Sequence, residues 1–490
     1  MIDNIFSTEE LGLLSRKKKQ AKEYVSVSKS KVEKFQEVGW DIQKEYKTKT
    51  RLFREKKKEV LLEDRVWTLL HKMGFPLLSG ERGAKLFLTP GDPKSPFNQI
   101  DVVGVDKELA LAVECKSAGT HRKKSDFQED IAKFAVLKKH FRTSIDKQFP
   151  QEHTRALAFV MFTWDLLLAD SDYKRAELEK IFILNENDLH YYEQLVNHLG
   201  PAARYQFYAD ILSDRKINGL EVKVPALKSK MGKSTYYSFS ISPEHLLKIA
   251  YVSHRAKGKA TDVDTYQRMI KKSRLRKIKI YISDYGVFPT NIVVNFEANS
   301  AIRFEASEQK GGPEGAKYGT LFLPPKYGSA WIIDGQHRLF AYSGHERAEK
   351  SFVNVLAFYG LPPSEQAQMF IDINHEQKSV KRSLLQELYA ELNWDAEDEN
   401  KRVGAIVSKA IQALVASPDS PFFNRILLTD ATRTVTRCIS LESTFKALSQ
   451  HGMLIVKNNI EYGPLWAGEN DETLKRTIKV IKAWFTLIRE

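Results

Sequence analysis

The sequence predicts an α/β protein of several domains: a mixed-sheet domain, an α+β domain after it, and a helical C-terminal region. Three observations predict this. At 490 residues the chain exceeds what one hydrophobic core organises. Two long stretches, 56–215 and 216–395, each alternate strand-like and helical patterns, as sheets covered by helices do. Residues 396–490 keep a helical period but carry no chemistry-bearing motif. A 42% hydrophobic content supplies cores, and 28% charged residues keep the surface polar. No window approaches the ~18 apolar residues of a membrane span. The N-terminal stretch MIDNIFSTEELGLLSRKKKQ places its acids first and has no apolar centre, unlike a signal peptide. Cys115 and Cys438 alone exclude a disulfide framework and a cysteine-built zinc site. A cytoplasmic protein is expected.

Residues 1–55 are mixed in charge and read as a basic helical segment anchored by Trp40. From Lys56, Val60, Leu61, Val66, Trp67, Leu69 and Leu70 recur at helical spacing and stop at Gly74. Strands are expected at 99–105 and 109–116, joined by a charged turn at Asp106–Lys107, then a helix over 125–140 and strands at 156–163 and 181–184. Helical patterns over 186–213 close this domain. The second domain opens with a basic helix near 264–283. It continues with strands at 291–297, GTLFLP and AWIID, the helix RLFAYSG, the strand FVNVLAF and the helix PSEQAQMFIDIN. Tyr236, Tyr237 and Phe239 in STYYSFSIS read as a half-buried strand, with base stacking as the alternative.

The net charge of +14 points to a polyanionic partner, because Lys and Arg release condensed counterions from phosphates. The charge is clustered: residues 251–280 hold ten Lys/Arg against two Asp, and SRKKKQ, TKTRLFR and EKKK add to it near the N-terminus. Arg268, Lys271, Lys272 and Arg274 are the candidate DNA contacts.

The first chemical constellation is Glu63, Asp101, Glu114 and Lys116. Residues two apart on a strand share a face, so Glu114 and Lys116 of VECKS project together, beside Asp101 if the preceding strand pairs as a hairpin. Two carboxylates on adjacent strands suit Mg²⁺ or Mn²⁺, with Asp101 and Glu114 as the ligands and Glu63 as an outer contact. A lysine beside them can orient the attacking water and steady the phosphate. The residues QID and VECK resemble the PD-(D/E)xK nuclease superfamily, in the form seen in Mrr-like restriction nucleases and Holliday-junction resolvases. The resemblance implies a restriction-endonuclease-like core of helix, three strands, helix and strand, with Asp101, Glu114, Lys116 and Glu63 catalytic. Ile100 stands where the family's proline precedes the aspartate. Gln128, on the following helix, is a candidate phosphate contact whose simpler reading is exposed helix polarity.

The second constellation is the strand-to-helix turn Asp334-Gly335-Gln336-His337-Arg338. A glycine there admits close backbone approach, the helix start offers N–H groups, and an arginine clamps phosphate oxygens. A structural turn, with Asp capping and Arg paired to an acid, is the alternative. DGQHR resembles the family of bacterial proteins that carries this motif and includes the DndB regulators of DNA phosphorothioate modification, of the ParB/sulfiredoxin fold. The stretches FIDINHEQKSVKRSLL, TYQRMIKKSRL and GVFPTNIVVNF carry the likeness further. It implies that Asp334, Gly335, Gln336, His337 and Arg338, with Asn374, Gln377 and Lys378, hold a nucleotide (ATP or CTP) or DNA phosphates. Gln336 stands where sulfiredoxins carry their cysteine, which excludes reductase chemistry.

These expectations combine into an Mg²⁺-dependent DNA endonuclease of a phage-defence or DNA-modification system, its cutting directed or gated by the DGQHR domain. Its partners would be DNA, modified or not, other proteins of that system, and further copies of itself. The alternative is a DndB-like DNA-binding regulator with an inactive nuclease-type domain, or an NTPase switch.

Overall fold

The computed structural model describes the chain apart from residues 90–91, 93, 119–122, 125–126, 214, 253–271, 299, 308–314, 376–389, 391–392, 429–432, 450–451, 455–461 and 490. It divides into two units, Met1–Glu193 and Gln194–Glu490, each taken by itself below. The division falls inside a helix, Glu186–Leu199.

The first unit opens with β1 (Ile2–Asp3), β2 (Ile5–Ser7) and α1 (Gly12–Lys18). Residues 22–55, expected to be helical, instead form a three-stranded antiparallel sheet of β3 (Lys22–Ser28), β4 (Asp41–Glu45) and β5 (Lys49–Glu55), with the short α2 (Val32–Gln36) crossing it. Here the charges hid a period of two. Val25, Val27 and Leu52 face one side and pack on Trp40, Val32 and Phe35, so alternate burial decides for strands.

Helix α3 (Lys58–Lys72) follows and buries Leu62, Val66, Leu69 and Leu70. Its Asp64 is buried and accepts ion pairs from Lys18 at 2.8 Å and Lys56 at 2.6 Å, which tie α1 and the end of β5 to α3. Strands β6 (Leu77–Ser79), β7 (Ala84–Phe87), β8 (Phe97–Ile100), β9 (Val102–Val105) and β10 (Leu109–Ser117) come next. The short β11 (Lys123–Lys124) precedes α4 (Gln128–Gln148), and β12 (Ala156–Trp164), β13 (Leu166–Leu167), α5 (Asp170–Leu178), β14 (Ile181–Leu184) and α6 (Glu186–Leu199) complete the order. The main sheet runs β14-β12-β10-β9-β6-β2, with β10, β12 and β14 parallel and β9 antiparallel to β10. Helix α3 packs on β9 and β10. The hydrophobic cluster around Ala110, Ala112, Phe159 and Met161 is closed by Ile131, Phe134, Phe141 and Ile145 of α4. The charged turn falls where expected: Asp106 accepts the backbone N–H groups of Glu108 and Leu109, each at 2.7 Å.

The second unit is built on one mixed sheet, eight strands among the described residues. After α7 (Ala203–Ile211) come the hairpin β15 (Val222–Met231) and β16 (Ser234–Ile241), α8 (Pro243–Ile249), β17 (Ala250–Tyr251) and α9 (Lys272–Ser283). Then follow β18 (Ile292–Phe296), β19 (Arg303–Ala306), β20 (Lys317–Leu323), β21 (Ala330–Asp334), α10 (Gln336–Ala341), β22 (Val353–Tyr359) and α11 (Pro363–His375). The order is β17-β21-β18-β22-β16-β15-β20-β19. Tyr237 and Phe239, weighed above as stacking residues, are each 5% exposed and belong to the interior. Tyr236 packs against the cluster formed by Trp331, Ile333, Phe358 and Phe370. The C-terminal stretch is largely helical, as expected: α12 (Glu399–Ala416), β23 (Ile426–Leu427), β24 (Ile439–Ser440), α13 (Leu441–Ser449) and α14 (Asn470–Arg489). Among the described residues, no helix is long and apolar enough to cross a membrane.

Candidate functional site

The antiparallel register pairs Val113 with Val102, so Glu114 and Asp101 stand opposite each other one step further along. Asp101 itself lies in a bend between β8 and β9, where the ladder is interrupted and its side chain turns toward β10. There Oδ2 of Asp101 accepts the Cys115 backbone N–H at 2.7 Å. Lys116 Nζ lies 3.0 Å from Glu114 Oε1 and 3.1 Å from Asp130 Oδ1. Asp130, in the first turn of α4, is the member of this cluster that sequence reasoning missed. Its one signal was a third acid in SDFQED, placed where α4 returns over the strand carrying Lys116.

The electrostatics follow from burial. Desolvation pushes the Asp101 carboxyl up to about 6, against the Cys115 hydrogen bond, with the Glu63 charge adding to the rise. Desolvation and then the facing Asp101 push Glu114 up to about 7. Burial raises Glu63 as well, and Lys18 partly offsets it. For Lys116 burial disfavours the charge, but Glu114 and Asp130 outweigh it and hold the ammonium above its ordinary value. Like charges forced together in a partly dry site call for a cation. Among the described residues no group of three or more His, Cys, Asp or Glu is gathered to hold a metal, so a cation here would have two carboxylates. A divalent ion that completes its shell with water and phosphate oxygens fits such a donor set.

Gly83, at φ +71°, is what lets this strand bend sit where it does. A Cβ at that position would collide with the carbonyl oxygen of Ile100 and press on that of Asp101.

In the DGQHR turn the arginine is bonded within the protein, as the structural-turn alternative has it. Arg338 was expected to face a phosphate, yet its guanidinium is engaged by the protein. Nη2 donates to Asp334 Oδ2 at 3.0 Å and to the Asn291 carbonyl at 2.9 Å, and Nη1 donates to the carbonyl and hydroxyl of Thr290. Gly335, at φ +93°, is needed for packing, because a Cβ would lie 3.1 Å from both Ile292 Cα and Arg338 Nη2. The physical reason is that α10 starts directly against the first residues of β18, and an arginine is the side chain long enough to fasten both. Gln336 Oε1 is buried with no hydrogen-bond partner among the described residues. His337 is half-buried beside it.

Of the other candidates, Arg274 is exposed on α9, which packs on α10; Lys279 of the same helix donates to the Ser343 carbonyl at 3.1 Å. The Arg274 charge reaches Arg338, so the basic helix and the motif are brought together. Lys272 and Asn374 lie in α9 and α11, and Arg268, Lys271, Gln377 and Lys378 fall outside the described residues. Gln128 begins α4.

A mixed α/β multidomain protein with an acid–lysine cluster in one unit and a basic helix against a strand-to-helix turn in the other is what these observations define. Residues 224–415 match the DndB family model, described as DNA-sulfur modification-associated, which runs from β15 to the end of α12. No curated protein matches the sequence. The crystal structure of protein VC1899 from Vibrio cholerae is similar at 14% identity over 39% of this chain and 50% of that one; its TM-score of 0.21 carries no argument.

Proposed function

We propose that the first unit is a divalent-cation-dependent phosphodiesterase that cuts DNA, and that the second unit binds DNA in a DNA-modification-associated or phage-defence system. The observation that carries the first half is the convergence of Asp101, Glu114 and Lys116, with both carboxyls raised chiefly by burial, Asp101 further by Glu63 and Glu114 further by Asp101. Helix α3, the strands from β6 to β11, helix α4 and strand β12 are compatible with the helix, strands, helix and strand of the PD-(D/E)xK resemblance, with more strands than its three. Asp101 and Glu114 would hold Mg²⁺ or Mn²⁺, which when bound polarises the phosphate and acidifies a water. Lys116 is held in its charged form by Glu114 and Asp130, which suits it to stabilise the phosphorane rather than to abstract a proton. Asp130 positions that ammonium.

The second half rests on the DndB match and on the exposed Arg274, Arg276 and Lys277 of α9 beside the DGQHR turn. Phosphate contact falls to this helix and to Gln336 and His337, since Arg338 is already bonded. A nucleotide, ATP or CTP, remains part of the proposal for this turn. The same match supports a second reading, a DNA-binding regulator whose first unit docks DNA without cutting it.

One experiment separates the two. Supercoiled plasmid and phage DNA, phosphorothioate-modified and unmodified, are incubated with protein in Mg²⁺ or Mn²⁺, alone and with each nucleotide. Nicking that Glu114→Ala and Lys116→Ala abolish while binding persists supports the nuclease. Binding without nicking under every condition leaves the regulator.

A further inference from the structure

The antiparallel sheet β3-β5-β4 has one covered face and one open face. Val25, Val27 and Leu52 point to the covered side, where Trp40 and Phe35 close over them. The register therefore sends Tyr24, Ser26, Arg51, Phe53 and Lys49 to the other side, joined by Lys44 across from Arg51. Tyr24 and Phe53 are direct cross-strand partners, so two aromatic side chains stand together in the middle of this face. Each carries a cation. Arg51 lies over the Tyr24 ring at 4.8 Å and Lys22 over the Phe53 ring at 4.3 Å, while Lys44 lies over Tyr46 at 5.5 Å at the margin. Lys44, Lys49 and Arg51 are exposed, and against them the face sets Asp41 and Glu55, the latter paired with Lys22 at 3.1 Å.

We propose that this open face binds single-stranded nucleic acid. Aromatic rings flanked by mobile cations on an exposed sheet are the combination that unpaired strands need, since bases stack on the rings and the backbone follows the charge. The present cation–π contacts are exposed and individually weak. A base that slides onto Tyr24 or Phe53 displaces Arg51 or Lys22, whose charge then meets the adjoining phosphate. Both halves of the contact are exchanged for stronger ones. Duplex DNA fits less well, because its bases are stacked on one another and closed to the rings. This surface shares no residue with the acid–lysine cluster and does not depend on that cluster cutting anything.

The test uses the whole chain in EDTA, so that cleavage plays no part. Fluorescence anisotropy follows a labelled oligo-dT of about a dozen nucleotides, which spans the usual site size, and a duplex of equal length. Tyr24→Ala and Phe53→Ala are each expected to weaken single-strand binding about tenfold, with duplex binding changed less than about twofold. Tyr24→Phe, which keeps the ring, is expected to bind like the wild type. Lys44→Ala and Lys49→Ala, both at exposed positions, are expected each to lower the salt slope by about 0.7, the value for one single-strand phosphate. These two keep the test decisive should Phe53→Ala unfold the sheet. Unchanged single-strand affinity and slope in Tyr24→Ala, Lys44→Ala and Lys49→Ala would overturn the proposal. So would an equal loss of duplex binding, which would make the face a general polyanion patch.

Discussion

Glu114 and Asp101 face each other across two strands, and burial makes both harder to ionise, with Asp101 adding to the rise at Glu114 and Glu63 to that at Asp101. Their folded-state values lie above those of an unfolded chain, so the pair contributes stability below about pH 4 that is lost as pH rises through about 6 to 7. Metal-free protein should accordingly melt lower at pH 8 than at pH 5 from this cause, and Mg²⁺ should restore stability at pH 8 while releasing protons. Glu114→Gln should remove about half of the dependence, leaving the Asp101 share, and raise the metal-free unfolding free energy at pH 8 by about 1–3 kcal/mol, one pKa unit being worth about 1.4. Melting curves in EDTA at the two pH values check this, and a Glu114→Gln protein as pH-sensitive as the wild type would contradict it. Arg338 makes the opposite case. Arg338→Ala leaves the Asp334 carboxylate and the Thr290 and Asn291 carbonyls without their donor, at a cost of about 2–4 kcal/mol. A calorimetric scan should show that loss. An unchanged melt with weakened DNA binding would return Arg338 to the ligand.

At the scale of elements, the helix carrying Glu63 is held by its neighbour Asp64, which two buried lysines share. Asp64→Ala strands both ammonium groups in the interior and should destabilise the first unit by about 3–5 kcal/mol, measurable by urea unfolding. Gly83→Ala acts on the strand bend instead. It should displace the Ile100–Asp101 backbone and lower DNA cleavage in Mg²⁺ more than it lowers the melting temperature. What the sequence made legible here followed from strong period and local turn chemistry. The β9–β10 hairpin, its Asp106 turn and the parallel β12 were readable because unbroken apolar runs mark buried strands. The alternation in residues 22–55 escapes a composition-based view because charged and polar residues outnumber the few apolar ones, Val25, Val27 and Leu52, that carry it. Asp130 and the bonding of Arg338 to β18 depend on contacts between residues 14 and about 48 apart, which no local pattern encodes.

Over the whole molecule, a charge of +14 predicts DNA affinity that falls steeply with salt. Replacing Arg274, Arg276 and Lys277 together should lower the slope of log affinity against log salt by about 2–3 units on duplex DNA, with the metal-linked stability of the first unit untouched. An unchanged slope would make α9 a merely solvated surface. The way the first unit is threaded has a consequence for its manufacture. Ile2 pairs with Leu86, its backbone is gripped from both sides by the Gln148 side chain, and β2 forms the edge beside β6. A ribosome delivers those first strands long before their neighbours. They must wait, unpaired, through some 70 to 85 further residues of synthesis before β6 and β7 arrive, and Ile2 waits longer still for Gln148. Newly made chains of this protein should therefore lean on chaperones that shield early segments, and expression at low temperature with such helpers should raise the soluble yield.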